Sequence, residues 1–319
     1  MHWRHRLLLG RRAHGLWDAE VQLVTVSVND LAKHALSRRS FSAAIVAFMT
    51  MPRRSRAEAS GRRISVLDWA WAETLLALDI EPYAVTEASL YRERVVTPGL
   101  PDGVIDLGLR SWPNMELLKS LRPDLILTQA GYGAAVSSLE PIAPTLALPL
   151  FTPERRPLQF AEAGLRTIAE QLAREPQADA FTAAFDRGLA EIRDSLRSYD
   201  GRPLLIVKFA DDRLLDIYGP GSLFQDVLDR LGLASAWTDA GNHWGFSTSG
   251  LDAIARNPDA RLVIIEPGPP ASLMGSDLWK AIPAVRENRV VTIEPTWVFG
   301  AMPSALRFAT ILGKALQSA

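Results

Sequence analysis

MELLKSLRPDLILTQAGYGAA, residues 115–135, decides how the chain is read. It opens with apolar residues at helical spacing, passes through Pro123-Asp124, and enters the run Leu125-Ile126-Leu127, which is core material. The run then stops at Gln129 and a Gly131-Tyr132-Gly133 turn. Helix, turn, short apolar strand and glycine turn make one layer of an α/β fold. The segment LDAIARNPDARLVIIEPG, residues 251–268, repeats that order, and so favours a duplicated lobe.

Short apolar runs alternate with helical patterns from residue 64 onward. Expected strands are 64–67, 83–85, 104–106 and 125–128 in the first half, and 204–209, 215–218, 262–266 and 290–293 in the second. Each set suffices for one small sheet. Between them, residues 177–199 carry apolar side chains at 181, 185, 189, 192 and 196, the spacing of one helix face. A helix of that length is roughly 35 Å long at about 1.5 Å per residue, enough to tie two lobes together rigidly. An amphipathic stretch with Leu158, Phe160, Leu165, Ile168 and Leu172 precedes it. The fold class expected is α/β: two lobes, each with a small central sheet flanked by helices, joined by one long helix. The boundaries expected are a first lobe over 60–155, a helical linker over 156–201 and a second lobe over 202–319.

Charge is distributed unevenly. Residues 1–59 hold 10 Lys and Arg against 4 Asp and Glu, whereas the remaining 260 hold 25 against 32. An acidic body argues against a surface that tracks nucleic-acid phosphates. The basic segment has its own logic. Ser37-Arg38-Arg39-Ser40-Phe41 is followed by an apolar stretch to Pro52 and then by Ala57-Glu58-Ala59. Charged region, short apolar core and small-x-small site are the order of an export signal, and paired arginines point to the twin-arginine route. The expectation is a signal over 37–59, preceded by an extension over 1–36 with no folded role. No run of 18 apolar residues spans a bilayer. The chain has no cysteine, hence neither a disulfide nor a cysteine-linked lipid anchor, and a soluble protein of the periplasm is expected.

In α/β sheets ligands gather outside the carboxyl ends of strands. Tyr132 lies there, and so does Arg110, just past 104–106. The second half brings Trp244 in the loop GNHWGFST, and Trp297 with Phe299 beyond the last strand. Residues two apart on an extended segment project to one side. Four aromatics and one arginine, drawn from both halves, suit a bulky, partly apolar ligand that offers hydrogen-bond acceptors.

Seven segments in order, LLALDIEPYAV, LPDGVIDLGLRSWPNMELL, AGYGA, GPGSLFQDVLD, NHWG, LWKAIPAVR and TWVFGA, resemble the periplasmic ferric hydroxamate-binding proteins. These belong to the substrate-binding proteins of siderophore, haem and cobalamin import. The resemblance runs through residues 62–317 and implies two lobes on a long helix with a shallow cleft that moves little on binding. It further implies a monomer that delivers a ferric hydroxamate siderophore to an ABC permease served by a cytoplasmic ATPase. Arg110 and Tyr132 match residues that hydrogen-bond the hydroxamate oxygens, and Trp244, Trp297 and Phe299 match aromatic wall positions. Glu116 and Asp252, on corresponding helices of the repeated segment, match permease-docking acids. Val298 and Arg94 stand where aromatics are found in the family.

The chemistry agrees with this assignment. Three hydroxamates cancel the charge of Fe(III), so one arginine and one phenol suit the complex, whereas a ferric catecholate favours several cations. Iron arrives already chelated, and no cofactor or protein metal ligand is expected. His243 is the only histidine after residue 34, and the usual nitrogen and sulfur sets cannot be assembled. Haem or cobalamin is the alternative cargo, and haem held by a single axial ligand would need Tyr132 or His243 to reach iron. An exported enzyme would draw on Asp211, Asp212, Glu266 or Glu294, but no nucleophile-base pairing, phosphate loop or G-x-S-x-G elbow accompanies them.

Overall fold

The computed structural model describes residues 61–211 and 213–318. The segments expected to form an extension and an export signal, 1–36 and 37–59, lie outside the described residues.

The first sheet is built from β1 (Ile64–Val66), α1 (Trp69–Ala77), β2 (Ala84–Val85), α2 (Ala88–Arg94), β3 (Ile105–Asp106), α3 (Met115–Leu121), β4 (Leu125–Gln129), α4 (Val136–Leu139) and β5 (Thr145–Leu148). Its strands run in the order β3-β2-β1-β4-β5 and all pairs are parallel. Helices α5 (Pro157–Leu172) and α6 (Glu175–Ser195) follow. The second sheet comprises β6 (Leu204–Phe209), β7 (Leu214–Tyr218), α7 (Leu223–Leu231), β8 (Phe246–Gly250), α8 (Asp252–Ala255), β9 (Arg261–Ile265), α9 (Ala271–Met274), α10 (Asp277–Ala281), α11 (Pro283–Arg286), β10 (Val290–Ile293) and α12 (Met302–Gln317). Its order is β10-β9-β6-β7-β8; β10, β9 and β6 are parallel, while β7 and β8 run antiparallel.

Each sheet therefore has one strand more than the sequence suggests. The additions, β5 and β8, are edge strands. One sits between prolines at 144 and 149, and the other, FSTSG, is largely polar, so neither offers a clear apolar run. The repeat seen in the sequence corresponds to β5-β4-β1 in one sheet and β10-β9-β6 in the other, three parallel strands in matching order. Beyond that unit the lobes diverge, because β2 and β3 add parallel and β7 and β8 antiparallel.

Helix α6 is 21 residues long, with Pro176 in its first turn, and ends at Ser195 rather than near Tyr199. The Leu196 amide already turns back to the carbonyls of Ile192 and Arg193, and the Tyr199 amide donates to Leu196 in a separate turn. Phe185 and Leu189 of α6 join Phe308 and Leu312 of α12 and Trp71 and Leu75 of α1 in one apolar core. That core is continuous from the first sheet to the second.

Helix α12 has no capping side chain of its own. Glu73, buried on α1, serves instead: one carboxylate oxygen accepts from the Ala301 and Ser304 amides, and the other accepts from the Ser304 hydroxyl at 2.6 Å. An acid at a helix N-terminus meets unsatisfied amides and the positive end of the dipole.

Candidate functional site

In the first sheet the order of strand addition reverses between the parallel β1 and β4, and a crevice opens outside their carboxyl ends. Asp68 follows β1, Arg110 follows β3, and Gln129 and Tyr132 come at the end of β4. All four line one cavity of about 900 Å³. The second half faces them with Lys208 and Phe209 from β6, Tyr218 from β7, Trp244 and Phe246 around the start of β8, and Trp297 to Phe299 after β10. The five residues singled out in the sequence, Arg110, Tyr132, Trp244, Trp297 and Phe299, thus border a single space.

Arg110 is held on three sides. Its Nε donates to Glu87 at 2.7 Å. Its guanidinium carbon lies 3.9 Å from the ring centre of Trp69 and 4.8 Å from that of Trp297. Neither Nη donates to a described residue, so the four Nη N–H groups remain available to the cavity. The loop is set by Asp106, whose carboxylate accepts from the Ala88 amide at 3.0 Å and the Gly108 amide at 2.8 Å.

Tyr132 is positioned by its glycines. Gly131 and Gly133 have φ of +80° and +72°, and a Cβ on Gly133 would lie 2.8 Å from the Arg110 carbonyl oxygen. The second glycine is therefore what lets the Tyr132 turn lie against the Arg110 loop. Gly133→Ala is expected to cost about 1–3 kcal/mol, because a non-glycine residue in this region is strained and the clash is with backbone. A lowered midpoint in urea unfolding checks it; an unshifted midpoint contradicts the close approach.

The aromatics form a connected wall. Trp244 meets Tyr132 edge-to-face at 5.5 Å, Phe299 at 5.7 Å and Phe151 at 5.3 Å, and Trp297 meets Phe299 at 5.1 Å. Asn242 fixes the Trp244 loop by accepting from the Trp244 amide at 2.9 Å. Trp297 is itself only 5% exposed and backs the site, while Tyr132, Trp244 and Phe299 are half-buried. Val298 is buried among the lining residues, whereas Arg94 is exposed at the cavity from the N-terminal side.

Several lining residues escaped the sequence. Gln129 Nε2, Thr296 Oγ1 and Trp297 Nε1 are buried without a hydrogen-bond partner among the described residues, and all three residues border the cavity. Gln129 was visible as the polar end of an apolar strand. Lys208 and Tyr218 carried no signal, because only the sheet shows which strand face meets the cavity. Asp68 caps α1 by accepting from the Ala70 amide at 2.9 Å; burial pushes its carboxyl up to about 6, against the downward pull of that amide and of Arg110.

The candidates for other chemistry disperse. Asp211 accepts from the Arg213 and Leu214 amides in a turn, Glu294 pairs with Arg307 at 3.0 Å, and Asp212 lies outside the described residues. Glu266 borders the cavity but is exposed. His243 is exposed beside Trp244. Among the described residues no cluster of His, Cys, Asp and Glu could hold a metal ion. Glu116 and Asp252 are exposed in the first turns of α3 and α8 and are not among the residues lining the cavity.

Comparison with known proteins agrees with this architecture. Residues 64–296 match the family model described as periplasmic binding protein. The chain is 35% identical over 257 residues to the iron(3+)-hydroxamate-binding protein FhuD of Escherichia coli, a match that covers 80% of this chain and 86% of the relative. It is similar to the crystal structure of the Fe3+-Desferal-bound siderophore-binding protein FhuD from Vibrio cholerae, with a TM-score of 0.77 and 30% identity, covering 81% of this chain and 99% of the other. The petrobactin-binding protein YclQ of Bacillus subtilis shares the fold, with a TM-score of 0.66 and 19% identity over 81% and 92% of the two chains. Matched from Ile64 through its last strand, and sharing more than a third of its aligned residues with a curated relative, the chain belongs to the periplasmic binding protein family.

Proposed function

We propose that this protein is the substrate-binding component of an ABC importer that captures iron(III)-hydroxamate siderophores and hands them to a permease of the inner membrane. The observation that carries the reading is Arg110. Glu87 and two indoles hold it rigid, both Nη groups remain open, and the cavity is otherwise walled by aromatics from both halves. A tris-hydroxamate complex is uncharged at iron and presents oxygens outward. Arg110 Nη and the Tyr132 hydroxyl donate to those oxygens, while Trp244, Trp297 and Phe299 take the apolar backbone of the siderophore. Burying an aromatic side chain contributes about 1.5–3 kcal/mol, and a hydrogen bond to a charged group about as much, so a few such contacts reach micromolar affinity after association costs. Iron is cargo here, already chelated. The site binds and orients; it performs no chemistry.

Titrating tryptophan fluorescence of the full chain with ferrichrome, a ferric catecholate, haem and cobalamin tests the reading, because Trp69, Trp244 and Trp297 are all within the aromatic network. Quenching by the hydroxamate alone is expected. Saturable quenching by the catecholate but not the hydroxamate, or a Soret band with haem, overturns it.

The same proposal assigns export to the twin-arginine segment 37–59, action as a monomer, and seating on the permease through Glu116 and Asp252, one exposed acid from each half of the repeat. Reversing both charges to Lys is expected to abolish ligand-dependent stimulation of the permease ATPase while siderophore affinity is retained; undiminished stimulation removes the two acids from the docking surface.

A further inference from the structure

The cavity contains two cations that an uncharged ferric complex does not require. Arg94, in the last turn of α2, reaches it from the first half; Lys208, in β6, reaches it from the second. Neither makes an ion pair or a side-chain hydrogen bond with a described residue, in contrast to Arg110, which is already paired with Glu87. Lys208 sits opposite Asp216 in the β6–β7 register; Asp216 also lines the cavity and accepts from the Thr248 hydroxyl at 2.6 Å, and it forms no ion pair with Lys208. Burial first, and then the Arg94 guanidinium, hold the Lys208 ammonium below its usual range, and both outweigh the upward pull of Asp216. Two like charges thus border one cavity, one from each half. The other lining acids do not relieve them: Asp68 is buried at the cap of α1, and Glu93 and Glu266 are exposed to water.

A carboxylate placed between the two cations would relieve their repulsion and form charge-assisted hydrogen bonds to both. It would also join the two halves from the ligand side. We infer that the preferred cargo is a ferric hydroxamate that carries an additional carboxylate on its backbone, and that Arg94 and Lys208 receive that carboxylate from opposite sides of the cleft. This rests on the hydroxamate reading above and specifies the ligand within it. Arg94, where the resembled family has an aromatic, and Lys208 then act as specificity residues, separate from the Arg110 and Tyr132 pair that meets the iron centre.

The test keeps the iron centre constant and varies one chain end. Ferric Desferal, a linear tris-hydroxamate ending in an ammonium, is compared with its N-acetyl form, which is neutral there, and its N-succinyl form, which ends in a carboxylate. Affinities for the full chain are read by tryptophan quenching at low and at high salt. The succinyl form is expected to bind about tenfold or more tightly than the acetyl form at low salt, the scale of one charge-assisted hydrogen bond, and the ammonium form most weakly. The advantage should shrink with added salt. In Arg94→Gln/Lys208→Gln the succinyl-to-acetyl ratio should fall to about one, while in the unmodified protein the ratio stands as a test by itself. Equal binding of the acetyl and succinyl forms, tightest binding of the ammonium form, or a ratio unaltered in the double variant overturns the inference and leaves the hydroxamate reading standing. If none of the three binds, the hydroxamate reading has failed and this inference fails with it.

Discussion

Glu73→Ala is expected to lower the stability of the protein by about 2–5 kcal/mol, the cost of leaving two or three buried polar groups without a hydrogen-bond partner. Truncation leaves the Ala301 and Ser304 amides without their acceptor and the Ser304 hydroxyl without its partner inside a packed core, at the start of a helix that has no cap of its own. Urea midpoints at constant m-value measure the loss. Glu73→Gln keeps a carbonyl for the amides and an N–H for the hydroxyl, and should cost far less.

The glutamine variant also isolates a dependence on pH. Burial, outweighing its hydrogen bonds, pushes the Glu73 carboxyl up to about 8 from an ordinary 4.5. A folded-state value above the unfolded one means that the native protein keeps a proton the unfolded chain releases, so stability contributed by this group is full below about 4.5 and is lost as pH rises to about 8. Asp68, raised by burial to about 6, adds a loss of the same sign at lower pH, from about 4 to 6. Between pH 6 and 8 the unmodified protein should therefore lose stability more steeply than Glu73→Gln. Parallel curves over that window would show that Glu73 is ionised in the folded protein.

Arg110→Ala is expected to weaken hydroxamate binding roughly 10- to 100-fold, the worth of charge-assisted hydrogen bonds from a positioned guanidinium. The fold should survive at a cost of about 1–3 kcal/mol, because the Arg110–Glu87 pair is largely buried and its loss leaves Glu87 without its charged partner. Arg110→Lys separates charge from geometry. An ammonium can keep the pairing with Glu87 but cannot lie flat between two indoles while offering two further donors, so affinity should remain well below that of the unmodified protein. Siderophore titration of both variants, with unfolding curves alongside, decides the matter; full affinity in both would remove Arg110 from the site.

Local pattern carried much of this protein. Apolar runs of four to six residues between helical stretches mark most strands of both sheets, and a polar or glycine-rich stop after each run marks the strand ends where ligands collect. Arg110, Tyr132, Trp297 and Phe299 could be placed there because strand-end position follows from chain order alone, and the repeated helix-turn-strand segment reports the parallel β4 and β9, each next to the central strand of its sheet. The edge strands β5 and β8 were not legible, since an edge buries little and needs no apolar run. The partners that give the site its character were hidden for a different reason. Arg110 is clamped by Trp69 and Glu87, 23 residues before it in the latter case, and Glu73 caps a helix 228 residues away. Lys208 and Arg94 border one cavity only because the two sheets face one another. Periodicity reports which face of an element is apolar within a few residues of chain; which distant side chain stands opposite, and whether its charge is already satisfied, is decided only when the core closes and brings the strand ends together.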